Sequence, residues 1–157
     1  MRIKVVAVGT RLPGWQQQGF QEYAKRLPRE CAMTCTEIPA ATRGKSRPTK
    51  QMIEKESDRM LAAIARNDYV IALDQPGTQY TTEDLAGLLD TWLGQGRDLA
   101  LLIGGADGLS DACRTRADLR WSLSDLTLPH GLARVLAAEQ IYRAWSILRG
   151  LPYHRGE

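Results

Sequence analysis

Leu99-Ala100-Leu101-Leu102-Ile103-Gly104-Gly105-Ala106-Asp107-Gly108 is the stretch that sets the reading of the whole chain. Five consecutive apolar residues without polar alternation describe a strand buried on both faces, as found where helices cover both sides of a mostly parallel sheet. The glycines then release the chain at the carboxyl end of that strand. Open α/β sheets place their ligands there, and a residue without a Cβ lets a ligand approach the backbone. The plain alternative for these glycines is a tight strand-to-helix connection.

The segments on either side repeat the alternation. Ile3 to Val8 reads as a strand, and Phe20, Tyr23, Ala24 and Leu27 fall on one helical face that Pro28 closes. Met33 to Ile38 reads as a second strand. The next helix is expected to bury Ile53, Met60, Leu61 and Ile64, with Pro48 suited to its first turn. Tyr69 to Leu73 is a third strand, ending at Asp74 and a Pro76-Gly77 turn. Thr81 and Thr82 offer caps to a helix striped by Leu85, Leu88, Leu89, Trp92 and Leu93, and Gly94 and Gly96 end it. After the glycine turn come a short helix from about Ser110, a brief strand Trp121-Ser122-Leu123, and a last helix from roughly Leu132 to Leu148. The expected class is α/β, a mostly parallel sheet flanked by helices, and 157 residues is the size of one domain spanning 1–157. The last helix carries Leu132, Val135, Leu136, Ile141, Tyr142, Trp145 and Leu148, more apolar girth than one sheet contact needs, so a partner subunit could cover the surplus.

Composition excludes several classes. Hydrophobic residues at 43% and charged residues at 25% rule out disorder, and no apolar run is long enough to span a bilayer. The chain enters its first strand without a secretory leader, so a cytosolic location is expected. Cys31, Cys35 and Cys113 are odd in number and lie in or beside regular elements, which fits reduced thiols. Cys31-x-x-x-Cys35 with only His130 and His154 downstream makes a poor zinc site, and no metal is expected. Nucleotide-binding G-x-G-x-x-G and Walker patterns, the G-x-S-x-G elbow and H-E-x-x-H are all missing.

Four features remain as candidates. The Gly104-Gly105-x-x-Gly108 turn is one. Leu123-Ser124-Asp125-Leu126-Thr127-Leu128-Pro129-His130 is apolar yet bears hydroxyls, as a slot for a flat heteroaromatic group would, although an ordinary buried strand and turn has the same composition. A net charge of +3, from 21 basic against 18 acidic residues, does not itself indicate a polyanion partner. The acid-free run Ala41 to Lys50 does concentrate Arg43, Lys45, Arg47 and Lys50, which suits either phosphate contact or a solvated face. Finally, Pro152-Tyr153-His154-Arg155 gathers a ring, an imidazole and a guanidinium able to stack on a base, handle a proton and contact phosphate, unless the tail is merely frayed. Glu139 and Arg143, at i and i+4, read as an intrahelical ion pair.

Together these segments resemble the small SPOUT-class RNA methyltransferases, and within them the RlmH family of bacterial large-subunit ribosomal RNA pseudouridine N3-methyltransferases. The resemblance spans essentially the whole chain. It rests on Val6-Ala7-Val8-Gly9-Thr10, Glu37-Ile38-Pro39-Ala40 before Arg43-Gly44-Lys45, Leu73-Asp74 with Pro76-Gly77, Leu102-Ile103-Gly104-Gly105, Leu126-Thr127-Leu128-Pro129-His130, and Glu139-Gln140-Ile141-Tyr142-Arg143-Ala144 before Tyr153-His154-Arg155. Ala106 departs from it, since relatives often carry proline there.

The resemblance implies S-adenosylmethionine as cofactor and methyl donor, held in a C-terminal trefoil knot that periodicity does not reveal. Carried across by position, donor contacts fall at Leu73, Gly104, Gly105, Leu123, Ser124, Asp125, Leu126, Thr127 and Leu128. It also implies a homodimer through the last helix and an assembled ribosome as substrate. His154 is then the candidate base for the imide proton, with Arg155 and Tyr153 as substrate-binding neighbours and His130 and Arg134 in second rank. Arg43, Lys45, Arg47 and Lys50 are assigned to RNA phosphates. Two other readings stay open at this point: a non-catalytic RNA-binding or ribosome-assembly factor with the same fold, and a small α/β enzyme acting on a soluble nucleotide.

Overall fold

A computed structural model describes residues 1–42 and 49–155. Five parallel strands, β1 (Ile3–Val8), β2 (Met33–Ile38), β3 (Tyr69–Thr78), β4 (Leu99–Ile103) and β5 (Leu119–Trp121), form one sheet in the order β2-β1-β4-β3-β5. The helices between them are α1 (Gly14–Ala24), α2 (Thr49–Ala62), α3 (Thr82–Gln95), α4 (Asp111–Arg116) and α5 (His130–Leu148), followed by a 3-10 turn at Pro152–Arg155. All five residues of β4 are buried, between β1 and β3 and under helices on both faces. Side chains alternate across a strand, so Leu99, Leu101 and Ile103 join one core with residues of α1, α3 and α5, while Ala100 and Leu102 join a second with Met60 of α2 and Cys113 of α4.

Several element boundaries and packing faces differ from the sequence reading. The third strand does not stop at Leu73: β3 continues through an irregularity between Leu73 and Thr78, so Trp121 pairs with both residues and Ser122 N donates to Thr78 O at 2.9 Å. That registry places β5 at Leu119–Trp121, two residues earlier than expected. Helix α1 ends at Ala24, and Leu27 packs beyond it. On α2 the buried stripe is Met52, Glu56, Ser57 and Met60, and Ile53, Leu61 and Ile64 are only half-buried. Pro48 lies outside the described residues.

The last helix holds the largest difference. Its buried face is made of Gly131, Ala133, Ala137, Ala138, Ala144 and Ser146 with Arg134, Ile141 and Tyr142, whereas Leu132, Val135, Leu136, Trp145 and Leu148 are half-buried. Small residues let α5 lie close between α1 and α3. At Gly131 a Cβ would overlap the Gln16 side-chain amide, which would have to move aside.

Arg134 ties this helix to the sheet. With its side chain 3% exposed, it donates from Nη1 to Glu37 at 3.0 Å and from Nη2 to the carbonyls of Val8 and Gly9 at 3.1 and 2.8 Å. Removing the guanidinium strands those carbonyls, so Arg134→Met is expected to cost about 2–3 kcal/mol in a chemical-denaturation measurement. A change below about 0.5 kcal/mol would show the cation to be dispensable.

Candidate functional site

A cavity of about 720 Å³ opens at the carboxyl ends of β3, β4 and β5, within the usual size range of small-molecule sites. Three chain segments wall it: Leu73–Pro76 after the regular part of β3, Ile103–Leu109 after β4, and the loop from Leu123 into the start of α5. Register aligns them, since Leu73 lies opposite Ile103 on one side and Trp121 on the other.

The turn after β4 is built around missing side chains. Gly108 N donates to Gly105 O at 3.1 Å and Gly108 adopts φ 79°, a left-handed conformation that glycine takes without strain. A Cβ on Gly104 would lie 2.5 Å from the Gly108 carbonyl, and one on Gly105 would lie 3.0 Å from Val8. Both residues line the cavity, and neither has room for a side chain. Opposite them, Leu123, Leu126 and Leu128 provide apolar walls with Ser124 and Thr127 between. Ser124 Oγ accepts from Leu126 N at 2.9 Å and Ser124 O accepts from Ser122 Oγ at 3.2 Å, which fixes the loop's curvature. Apolar walls, hydroxyls and open backbone amount to a slot for a flat heteroaromatic ligand with a polar tail.

Of the nine residues assigned to donor contact, Leu73, Gly104, Gly105, Leu123, Ser124, Leu126, Thr127 and Leu128 line this one cavity. Asp125 is not among its lining residues. Its carbonyl accepts from Gln75 Nε2 at 2.9 Å and its carboxylate from Gln79 Nε2 at 2.6 Å, so it fastens the loop to β3.

The rim contains a charge cluster that pattern reasoning missed. Asp74 is buried and accepts from Arg114 Nε at 3.0 Å and Arg120 Nη2 at 2.9 Å. Burial pushes its carboxyl up, but the two guanidiniums outweigh that and leave it below the ordinary value. Arg114 and Arg120 come from α4 and β5, with no shared period to mark them; only the placement of an acid at a buried strand end signalled a need for partners.

His130 lines the cavity where α5 begins. Its Cε1 and Nδ1 edge faces Gly9, at 2.9 and 3.4 Å from where a Cβ would stand. Burial, then the positive charge of Arg134, holds its pKa below 6.5, against a smaller opposing pull from Glu56. A depressed imidazole is neutral in the folded chain while its unfolded counterpart takes a proton as pH drops through 6.5, so the contribution to stability is present above 6.5 and lost below it. Melting temperature is expected to fall between pH 7 and about 5 and to do so less steeply in His130→Gln. Identical slopes for the two proteins would place the titration elsewhere.

The tail residues are not at the cavity. Tyr153 donates its hydroxyl to Glu139 at 3.1 Å, packs edge-on to Tyr142 at 4.7 Å and lies under the Arg143 guanidinium at 4.7 Å. Glu139 and Arg143 form the ion pair at 2.6 Å, and Arg26, just beyond α1, stands over the rings of Tyr23, Tyr142 and Tyr153. Burial, then hydrogen bonds with Tyr23 and Glu139, pushes the Tyr153 phenol above its ordinary value, which makes it a donor and not a base. Glu139 is nine residues along α5 from His130, about 14 Å at 1.5 Å per residue. Tyr153 thus holds the 3-10 turn against α5 and Tyr23 of α1, and none of Tyr153, His154 and Arg155 is on the cavity wall. His154 Nδ1 and Trp145 Nε1 are buried without a hydrogen-bond partner among the described residues. Of the basic run, Lys50 is exposed at the start of α2, and Arg43, Lys45 and Arg47 lie outside the described residues.

Comparison with known proteins agrees with this geometry. A family model described as "Predicted SPOUT methyltransferase" matches residues 1–154. The chain is 56% identical over 155 residues to the ribosomal RNA large subunit methyltransferase H of Thioalkalivibrio sulfidiphilus, covering 99% of each chain. It is 50% identical to the protein of the same name from Methylococcus capsulatus, covering 99% of this chain and 100% of that one. In fold it is similar to the crystal structure of "Probable Methyltransferase from Bordetella pertussis Tohama I", with a TM-score of 0.59, 16% identity, and coverage of 90% of this chain and 93% of that one.

Proposed function

This chain belongs to the SPOUT methyltransferase family, and from that premise we propose that it methylates N3 of a pseudouridine in large-subunit ribosomal RNA, on the assembled ribosome in the cytoplasm, with S-adenosylmethionine as donor. One observation carries the reading: the glycine turn after β4 and the leucine loop before α5, far apart in sequence, close around a single cavity of suitable size. The similarity to large-subunit ribosomal RNA methyltransferases over the full chain supports the substrate class. The knotted path of the C-terminal segment belongs to the same proposal.

The residues present fit the donor. Gly104 and Gly105 admit it to within contact of the backbone, Leu123, Leu126 and Leu128 flank a ring, and Ser124 and Thr127 offer hydroxyls. When bound, S-adenosylmethionine supplies a methyl group activated on a sulfonium. The chain's own work is to hold the attacking nitrogen in line with that methyl and to exclude water. An imide nitrogen must also lose its proton to attack well, and His154 is the group proposed to take it. Arg155 is proposed to stabilise the resulting anion, and Tyr153, a donor to Glu139, to position the tail.

That division of labour requires two copies of the chain. Within one copy the tail packs against α5 through Tyr153 and does not line the cavity, so His154 is proposed to serve the cavity of a partner. The half-exposed bulky residues of α5 support a second copy over this face. Arg43, Lys45, Arg47 and Lys50 are proposed to meet RNA phosphates.

Titration calorimetry with S-adenosylmethionine and mass spectrometry of ribosomal RNA from a deletion strain test the reading together. Expected are a saturable binding isotherm and the disappearance of one methylated pseudouridine, restored by the intact gene. An unchanged modification pattern in the deletion strain would rule out the proposed reaction.

A further inference from the structure

We propose that Glu56 is a specificity residue that raises the cavity's affinity for the cationic methyl donor relative to the neutral thioether product; this rests on the reading of the cavity as an S-adenosylmethionine site. Glu56 comes from α2, on a face otherwise given to core contacts, and is 3% exposed. Among the described residues its Oε2 accepts the Ala41 N–H, at 3.3 Å, and its Oε1 is buried with no hydrogen-bond partner. Burying a carboxylate in this way is costly unless a positive charge arrives to offset it.

The surroundings indicate where that charge would come from. A Cβ on Gly105 would stand 3.6 Å from Glu56 Oε2, so what separates the carboxylate from the cavity at this point is a residue with no side chain. The field of Glu56 also reaches His130 on the same wall. Nearby cations do not neutralise it among the described residues: Arg134 is committed to Glu37 and to two carbonyls, and His130 is kept in its uncharged form. The other acids at the cavity are poorer candidates. Asp74 is saturated by Arg114 and Arg120, and Asp107 is exposed, where water and salt screen its charge. A buried carboxylate with no compensating cation among the described residues, behind a thin backbone wall, acts through a low dielectric. It favours a ligand bearing a sulfonium over the same ligand after the methyl and its positive charge have left, which assists exchange of product for donor.

The test is a pair of calorimetric titrations of the full-length protein, with S-adenosylmethionine and with S-adenosylhomocysteine, in wild type and Glu56→Gln. The amide keeps the shape and an acceptor for Ala41 N–H but removes the charge. Affinity for S-adenosylmethionine is expected to fall about tenfold, with that for S-adenosylhomocysteine unchanged within about twofold. Glu56→Asp, which retains the charge, should preserve more of the donor-to-product ratio than Glu56→Gln. Equal loss for both ligands would make Glu56 merely structural, and an unchanged ratio would show that its charge does not reach the ligand; either overturns the inference. If the glutamine variant does not fold, the ratio is read in Glu56→Met with the same expected result. A wild-type protein that binds neither ligand would instead overturn the cofactor reading itself.

Discussion

Gly104→Ala is expected to weaken donor binding roughly a hundredfold, about 2.7 kcal/mol, while the protein remains folded. The added methyl would lie 2.5 Å from the carbonyl carbon and oxygen of Gly108 and 3.0 Å from Leu109 N. These are backbone atoms of the same turn and cannot rotate aside as a side chain would. The turn has to open, and it is the turn that forms one wall of the cavity. β4 ends at Ile103, before the substitution, and its ladders to β1 and β3 are unaffected, so the loss should appear in titration calorimetry far more than in a melting curve. Gly87→Ala is the matched control. It lies exposed within α3 with no neighbour near its Cβ, and is expected to stabilise the fold by about 1 kcal/mol and leave binding alone. Undiminished donor affinity in Gly104→Ala would move the ligand to another part of the molecule.

The second large effect concerns the tail. His154→Ala is expected to slow methyl transfer by about 10²–10³-fold, the usual worth of a positioned base, with donor affinity unchanged within about twofold. Since His154 does not line the cavity of its own chain, the informative sample is a mixed dimer. One protomer carries Gly104→Ala and its partner carries His154→Ala. A tail that serves the other copy leaves one complete site in such a dimer, and at subsaturating donor about half of wild-type activity should return although each parent homodimer is down about a hundredfold or more. A tail that serves its own copy leaves none. Recovery below a few per cent would therefore remove the proposed exchange of tails between subunits.

The parts of the molecule legible in the sequence are those where one physical demand dominates. β4 needs apolar residues on both faces, and Leu99 to Ile103 states that without ambiguity. Helix α3 announces its start through Thr81, whose hydroxyl accepts from Asp84 N while its own N–H donates to the Asp84 carboxylate, and its end through Gly96 at φ 68°. The glycine turn stood out because glycines at a strand's carboxyl end suit a ligand approaching the backbone, although a tight connection uses them equally.

What escaped notice depends on contacts between elements. Bulky residues on α5 look like its buried stripe, yet the helix approaches so closely that alanines occupy the interior and the larger side chains are pushed to the flanks. Glu56 and Arg134 carry charge and would ordinarily face solvent, so no spacing rule places them inside. The distance between the tail and the cavity is likewise invisible along the chain. Tyr153 folds back onto Tyr142 and Glu139 because aromatic and charged partners await it there, and only the assembled helices reveal that.

The cavity takes its walls from three connections that all leave the sheet at the same end. Lengthening any one of them would displace the others' contacts, so natural length variation in this architecture is expected to gather at the opposite pole, where the chain enters β3, β4 and β5. The exposed bend at Gln95 and Gly96, before β4, is the natural place for an inserted tag or reporter, because the entropy of a longer loop grows slowly and nothing there touches the chemistry.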